Sequence, residues 1–230
     1  NTLSKCNPKK IKTCKLDVVF HPRVARTILA HFASLVNGSS IVRGSSFLKE
    51  KLNHKIFHNE INIIDNPLII RGLSSKPFDD EGCSMNELSL VKNGVLKNWL
   101  LDTTTSKQLG MTSNSRASRG VSSPPTPSHT NLFIDNGNKS TEQILNEVNN
   151  GFYVTDLIGQ GVNLITGDYS RGASGFKIEN GKISFPINEV TIADNLNNMF
   201  KKILISNDLE LLYSINSPTF AIEGMTIAGV

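Results

Sequence analysis

The sequence predicts an α+β fold, mainly antiparallel β-sheet with a few flanking helices, and three observations carry that expectation. Asn-Gly steps at 93–94 and 180–181 each separate two apolar-rich runs, and this dipeptide supplies the positive φ angles of a two-residue hairpin turn. From about residue 60 onward, short Ile, Leu and Val runs alternate with turn residues, the pattern of short strands. One early segment carries a helical period instead.

That helix is placed at 22–37. Pro22 suits the first helical position, Val24, Ala25, Ile28, Leu29, Phe32, Leu35 and Val36 recur on one face, and Gly38 reads as a stop. A strand over Leu16–Phe20 precedes it, and a second short helix is expected over Ser46–Asn53. Strands are expected at Ile61–Ile64 and Leu68–Arg71, then a hairpin of Glu87–Lys92 with Val95–Asp102. Thr103–Leu109 suits one or two helical turns. Residues 111–130 are rich in Ser, Thr and Pro, which fits an exposed loop. A loop of that length inside a compact domain equally suits a lid or a contact segment. Ser140 with Gln143 forms a capping-box signature for a helix over Thr141–Asn149, closed by Gly151. The second hairpin joins Gly175–Glu179 to Lys182–Ile187, and a last helix is expected around Ala193–Lys201.

With 230 residues, 38% hydrophobic and 19% charged, the chain can bury one large core or two small ones. No apolar run approaches the roughly 18 residues of a membrane span, and no signal peptide is visible. The net charge of +4 is modest and partly collects in Lys5, Lys9, Lys10, Lys12 and Lys15, within a polar leader over 1–15 that reads as solvated. The other basic residues are scattered and aromatics make up 7%, which argues against direct DNA or RNA binding. Three cysteines, Cys6, Cys14 and Cys83, are odd in number and lack zinc-knuckle spacing, so reduced thiols in a cytoplasmic protein are expected.

Three places could carry chemistry. Among the histidines His21, His31, His54, His58 and His129, no two stand as in HExxH; His54 and His58 are four apart but sit in a polar turn. The run Pro77-Phe78-Asp79-Asp80-Glu81-Gly82 could hold a cation or act as acid and base, or could cap a turn, since consecutive acids diverge in an extended chain. The run Gly167-Asp168-Tyr169-Ser170-Arg171-Gly172-Ala173-Ser174-Gly175 lets backbone approach another chain closely, and Asp168 could pair with Arg171. It lacks the lysine of a phosphate loop and the GxSxG elbow of a serine nucleophile, so locally it reads as a tight sheet corner.

These segments, in this order, resemble the TldE/PmbA branch of the TldD/PmbA (modulator of DNA gyrase) metallopeptidase family. The resemblance rests on the acidic run, Ser118-Arg119-Gly120-Val121 leading to Ser123-Pro124-Pro125, Gly159 through Thr166, the run from Gly167 to Phe176, and Pro218-Thr219 with Glu223-Gly224-Met225-Thr226-Ile227-Ala228-Gly229. It spans about residue 16 to the end, and members usually carry a further amino-terminal domain. A chain opening on Asn1 is therefore expected to start within a longer protein.

The resemblance implies a TldD subunit with an HExxxH helix, whose histidines and a later cysteine bind zinc and whose glutamate activates water. Aligned on His31, this chain has Arg26 at the first histidine position and Thr27 at the glutamate position, and no cysteine follows Cys83. A guanidinium stays protonated and cannot ligate zinc, and threonine is no general base. The implied function is a non-catalytic subunit of a TldD/TldE-type protease acting on peptides or unfolded proteins. Zinc is expected in the TldD-like partner and no cofactor in this chain. Heterodimer and homodimer both stay open. Asp79, Asp80, Glu81, Asp168, Tyr169, Ser170 and Arg171 are the candidate partner or substrate contacts. The alternatives are an autonomous metallopeptidase using His31 with the acidic run, and a gyrase-modulating binding protein.

Overall fold

The computed structural model describes residues 5–229 and divides into two compact units. In chain order the elements are β1 (Cys14–Phe20), α1 (Pro22–Leu35), α2 (Gly38–Val42), β2 (Ile63–Asp65), β3 (Leu88–Lys92), β4 (Val95–Leu96), α3 (Thr103–Gln108), β5 (Ala117–Ser118) and β6 (Thr126–Pro127). There follow β7 (Leu132–Ile134), α4 (Thr141–Val148), β8 (Gly151–Ile158), β9 (Asp168–Glu179), β10 (Lys182–Asn195), α5 (Leu196–Lys201), β11 (Ile203–Ile205), β12 (Ile215–Asn216) and β13 (Phe220–Ala228).

The first unit comprises residues 1–27, 136–209 and 218–230. Its sheet closes on itself: β1 pairs with β8, then β9, β10 and β13 follow, and β13 returns to β1. Closure satisfies the edges that an open sheet would expose. All neighbours are antiparallel except β1 and β8, which run parallel with Phe20 opposite Val154. Val18, Val19 and Phe20 are all fully buried, so alternation does not expose either face of β1. Val19 lies under α4, against Ile144, Val148, Ile178 and Ala221. Phe20 stacks at 5.2 Å on Phe220 on the other face. Ser140 caps α4 as expected, with Ser140 Oγ accepting from Gln143 N and Gln143 Oε1 accepting from Ser140 N. Asn149, at φ 53°, ends that helix, and Gly151 is instead the first residue of β8.

One expectation changes in this unit. The glycine-rich run is not a corner but most of β9, and Gly175 admits the neighbouring strand. A Cβ on Gly175 would sit 1.9 Å from the Tyr153 carbonyl oxygen. The amino-terminal leader is exposed over residues 5–10, as expected, and it is tethered to the sheet. Lys9 N donates to Pro186 O at 2.9 Å, Lys9 Nζ lies 4.4 Å above the Phe185 ring, and Thr13 Oγ1 donates to Gly229 O at 3.1 Å. Residues 1–4 of that leader lie outside the described residues.

The second unit comprises residues 28–135 and 210–217. Its five-stranded sheet runs β12-β7-β2-β3-β4, with β12 parallel to β7 and the rest antiparallel. The hairpin of β3 and β4 turns on Asn93 (φ 49°) and Gly94 (φ 76°). The Ile28, Leu29, Phe32 and Leu35 side chains of α1 are buried at helical spacing, and Phe32 meets Phe57 edge-on at 5.4 Å. Gly38 begins α2 rather than stopping a helix: Asn37 caps it, Gly38 N donates to Leu100 O at 2.9 Å, and a Cβ there would lie 2.6 Å from Thr105 Oγ1. Ser46–Asn53 forms successive turns instead of a helix, and Leu68–Arg71 forms turns instead of a strand. The second result follows from local pairing, since Gly72 N donates to Ile69 O and Lys76 N closes the loop on Pro67 O.

Candidate functional site

His21 immediately precedes helix α1, and its Nδ1 accepts from Arg23 N at 3.2 Å and so caps the first turn. Arg23 reaches Asp156 and donates to Thr155 O at 2.9 Å, and Lys5 Nζ pairs with Asp156 at 2.5 Å. Burial alone would raise the Asp156 carboxyl. The Lys5 and Thr155 hydrogen bonds and the two cations together hold it below the usual range. The His21 ring stands edge-on to Tyr153 at 6.1 Å. Burial, aided by Arg23, pushes the His21 imidazole down, and burial with the Asp208 charge pushes the Tyr153 phenol up to about 12. Asp208 accepts from Thr219 N and Thr219 Oγ1, both at 2.7 Å, and from Thr141 Oγ1 at 3.0 Å. Asp208, with three donors, and the partly buried His21 imidazole form one ordered polar site at the start of α1. Asp156 and Asp208 had no sequence signal, because bonds such as Lys5 to Asp156 and Thr141 to Asp208 join residues far apart in the chain.

Further along α1, Arg26 Nε donates to Arg23 O at 3.3 Å and Thr27 Oγ1 donates to Val24 O at 2.7 Å. The threonine hydroxyl is thus turned onto its own helix backbone. His31 is half-buried on the same helix. A catalytic zinc needs three neutral or anionic ligands and an open position, and the set Arg26, Thr27 and His31 does not fit one. Among the described residues no group of three or more His, Cys, Asp or Glu side chains is arranged to hold a metal.

The acidic run lies in the second unit and its carboxylates diverge. Asp79 is buried, and its carboxylate accepts from Glu81 N, Cys83 N and Ala117 N at 3.0, 2.9 and 3.2 Å. Asp80 accepts from Arg119 N at 2.8 Å and Lys76 Nζ at 3.2 Å, and the first of these bonds leads in holding its carboxyl low. Glu81 accepts from Thr103 N and Thr103 Oγ1 at 3.0 and 2.6 Å. The three acids bracket one loop to residues 103, 117 and 119.

Asp168, Tyr169, Ser170 and Arg171 lie on β9 of the first unit. The Asp168 carboxylate accepts from Thr166 Oγ1 at 2.6 Å and Asn195 Nδ2 at 3.2 Å, which hold it below its usual range. Arg171 Nε turns to Ile158 O at 3.4 Å. Tyr169 is buried, with its phenol pushed up by burial, and Ser170 is exposed. The two candidate contact runs therefore belong to different units.

Residues 13–229 match the family described as PmbA/TldA metallopeptidase C-terminal domain. The chain belongs to that family. It is 38% identical over 229 residues to the metalloprotease PmbA homolog of Buchnera aphidicola subsp. Baizongia pistaciae, and 38% identical over 229 residues to metalloprotease PmbA of Escherichia coli O157:H7. Each match covers 99% of this chain and 49% of the relative, so the chain spans about half the length of these curated relatives. A putative modulator of DNA gyrase from Bacteroides thetaiotaomicron superposes with a TM-score of 0.88 at 30% identity, over 99% of this chain and 50% of that one. TldE from Thermococcus kodakarensis shares the fold, with a TM-score of 0.89 at 23% identity over 99% of this chain and 53% of its own.

Proposed function

We propose that this chain is a non-catalytic TldE/PmbA-type subunit of a TldD/TldE-type zinc protease acting on peptides or unfolded proteins. The observation that carries the reading is α1, where a guanidinium, a back-bonded threonine hydroxyl and one imidazole occupy the positions at which the resembling TldD helix needs two ligands and a base. Water activation by zinc requires a ligand set and an acceptor for the proton. Asp208 and Asp156, the carboxylates whose charge acts on His21 at the start of α1, already accept from two or more donors each. The catalytic metal then belongs to a TldD-like partner, and this chain contributes walls and stability.

A cytoplasmic location goes with this reading. Cys14 and Cys83 are free cysteines, and no helix among the described residues is long and apolar enough to cross a membrane. Metal analysis of the purified chain after zinc loading and desalting tests the proposal, with far less than one zinc per chain expected. Stoichiometric retained zinc that His31→Ala removes would replace it with the autonomous metallopeptidase. The gyrase-modulating reading is favoured by the name of the Bacteroides neighbour. It would gain if the chain copurified with gyrase and not with a TldD-type subunit.

A further inference from the structure

Six of the eleven large apolar side chains exposed among the described residues lie on two loops of the second unit, and both loops leave the same end of its five-stranded sheet. Residues 66–76 follow β2, and residues 210–214 lead into β12. Strand β7 runs between them, with Asp65 and Ile215 both standing opposite its first residue, Leu132. The two stems are thus two strand spacings apart, about 10 Å. Leu68, Ile70 and Leu73 on the first loop and Leu211, Leu212 and Tyr213 on the second are between 42% and 90% exposed. Single exposed aliphatics need no explanation, but six on adjoining loops mark a contact surface.

Two buried asparagines fix the backbone of these loops. Asn131 Oδ1 accepts from Ser74 N at 2.9 Å, and its Nδ2 donates to Asn66 O at 2.8 Å and Ser75 Oγ at 2.9 Å. Asn216 Oδ1 accepts from Leu212 N and Tyr213 N at 2.9 and 2.8 Å, and its Nδ2 donates to Tyr213 O at 2.6 Å. Leu132 N donates to Ser214 O at 2.8 Å, which ties the second loop to the residue beside the first clamp. A surface ordered before contact loses less entropy on binding. The charges here nearly cancel. Lys76 pairs with Asp80, Glu87 accepts from Asn66 Nδ2 at 2.7 Å, and Arg71 and Glu210 are exposed and in no ion pair among the described residues.

We propose that this sheet end is a two-fold interface between two copies of this chain. Area and charge both select that occupant. Taking ~150 Å² for a whole apolar side chain, the six expose about 550 Å², near the upper limit for the largest patch on a monomer. Two copies in contact bury about 1,100 Å², just above the roughly 1,000 Å² that a specific interface needs. A nearly neutral apolar face asks for neither a basic nor an acidic partner, and it matches itself. A two-fold contact can also pair Arg71 of one copy with Glu210 of the other, twice over. The contact uses no residue of α1, so it is independent of where a catalytic metal is held.

Analytical ultracentrifugation of the chain from about 1 to about 300 μM tests this, and a monomer–dimer equilibrium with a Kd of roughly 1–100 μM is expected. Ile70→Asp and Leu212→Asp should each weaken the dimer at least ~10-fold, because each would bury a carboxylate among apolar side chains. Ile158→Asp, at an exposed isoleucine of the first unit, should leave the dimer as in the parent. Unchanged circular dichroism and unfolding midpoints would show that these surface variants stay folded. The proposal is overturned by a chain that is monomeric across the range, by a dimer whose Kd is the same in both loop variants, or by a dimer that Ile158→Asp dissociates as well. A monomer that binds phosphatidylglycerol vesicles, and loses that binding in Leu212→Asp, also overturns it, with a lipid surface as the occupant.

Discussion

Replacing Asp79 by alanine removes an acceptor shared by three backbone donors, and its cost follows from where those donors lie. Ala117 is 1% exposed, so its amide loses the Asp79 carboxylate with little access to water, a loss of roughly 1–3 kcal/mol. Cys83 is exposed and Glu81 half-buried, so water can replace the carboxylate there and each loss falls to roughly 0.5–1 kcal/mol. The expected total is about 2–5 kcal/mol. Urea unfolding of parent and Asp79→Ala measures it, and Asp79→Asn should recover a part, since one amide oxygen still accepts. Hydrogen exchange should speed up most at the Ala117 amide. A stability change under about 0.5 kcal/mol, with Ala117 exchange unaltered, would refute the reasoning that this carboxylate braces the loop.

Other perturbations are equally specific. Arg116 is 1% exposed, pairs through Nε with Asp65 at 2.5 Å, and donates to four carbonyls, Asn114, Ser115, Asn86 and Asp65. Arg116→Leu leaves Asp65 buried and should cost about 3–5 kcal/mol in denaturant unfolding, with much less loss in the double variant Arg116→Leu with Asp65→Leu. Gly94→Ala places a Cβ 2.5 Å from Phe57 O at a φ of 76°, so a loss of about 2–4 kcal/mol is expected by the same measurement. Stability should also depend on pH in a defined direction. Burial lowers the folded-state pKa of His21 and His129 below 6.5. The unfolded chain therefore takes up those protons first, and stability is full above that value and falls as pH drops through it. Unfolding at roughly pH 7.5 and roughly pH 5.5 checks this, and the combined variant His21→Asn with His129→Gln should flatten the difference. A second loss is expected below pH 3.8, as the depressed Asp80, Asp156 and Asp168 carboxyls are protonated.

Elements whose cause is local were legible in the sequence. Both Asn-Gly turns, the Ser140 capping box and the apolar stripe of α1 fall where residue type and period place them. Errors came where turn bonds or distant partners override composition. Leu68–Arg71 has the composition of a strand, yet the nearby bonds Gly72 N to Ile69 O and Lys76 N to Pro67 O close it into turns, and Arg71 adopts a positive φ that no side-chain pattern announces. The run Gly167 to Gly175 suggested a corner, but it forms most of β9, and at Gly175 the paired strand β8 leaves no room for a Cβ. At the candidate site the chemistry of Arg26, Thr27 and Asp79 could be read from residue type. Which way each side chain turns could not, because Val24 O and Ala117 N are what orient Thr27 and Asp79. The pair Asp65 and Arg116, set 51 residues apart, and the Asp208 hydroxyl network had no signature in one sequence.

The central claim is that this chain lacks catalysis of its own and works through a metal-bearing partner. Turnover of a fluorescence-quenched unfolded peptide tests it most directly, measured for the purified chain with zinc, for a purified HExxxH-bearing TldD-type homologue, and for the two mixed. The account predicts no turnover by the chain alone, turnover in the mixture that exceeds the homologue's own, and no effect of His31→Ala on the mixture's zinc-dependent rate. Zinc-dependent turnover by the chain alone, abolished by His31→Ala, would contradict it.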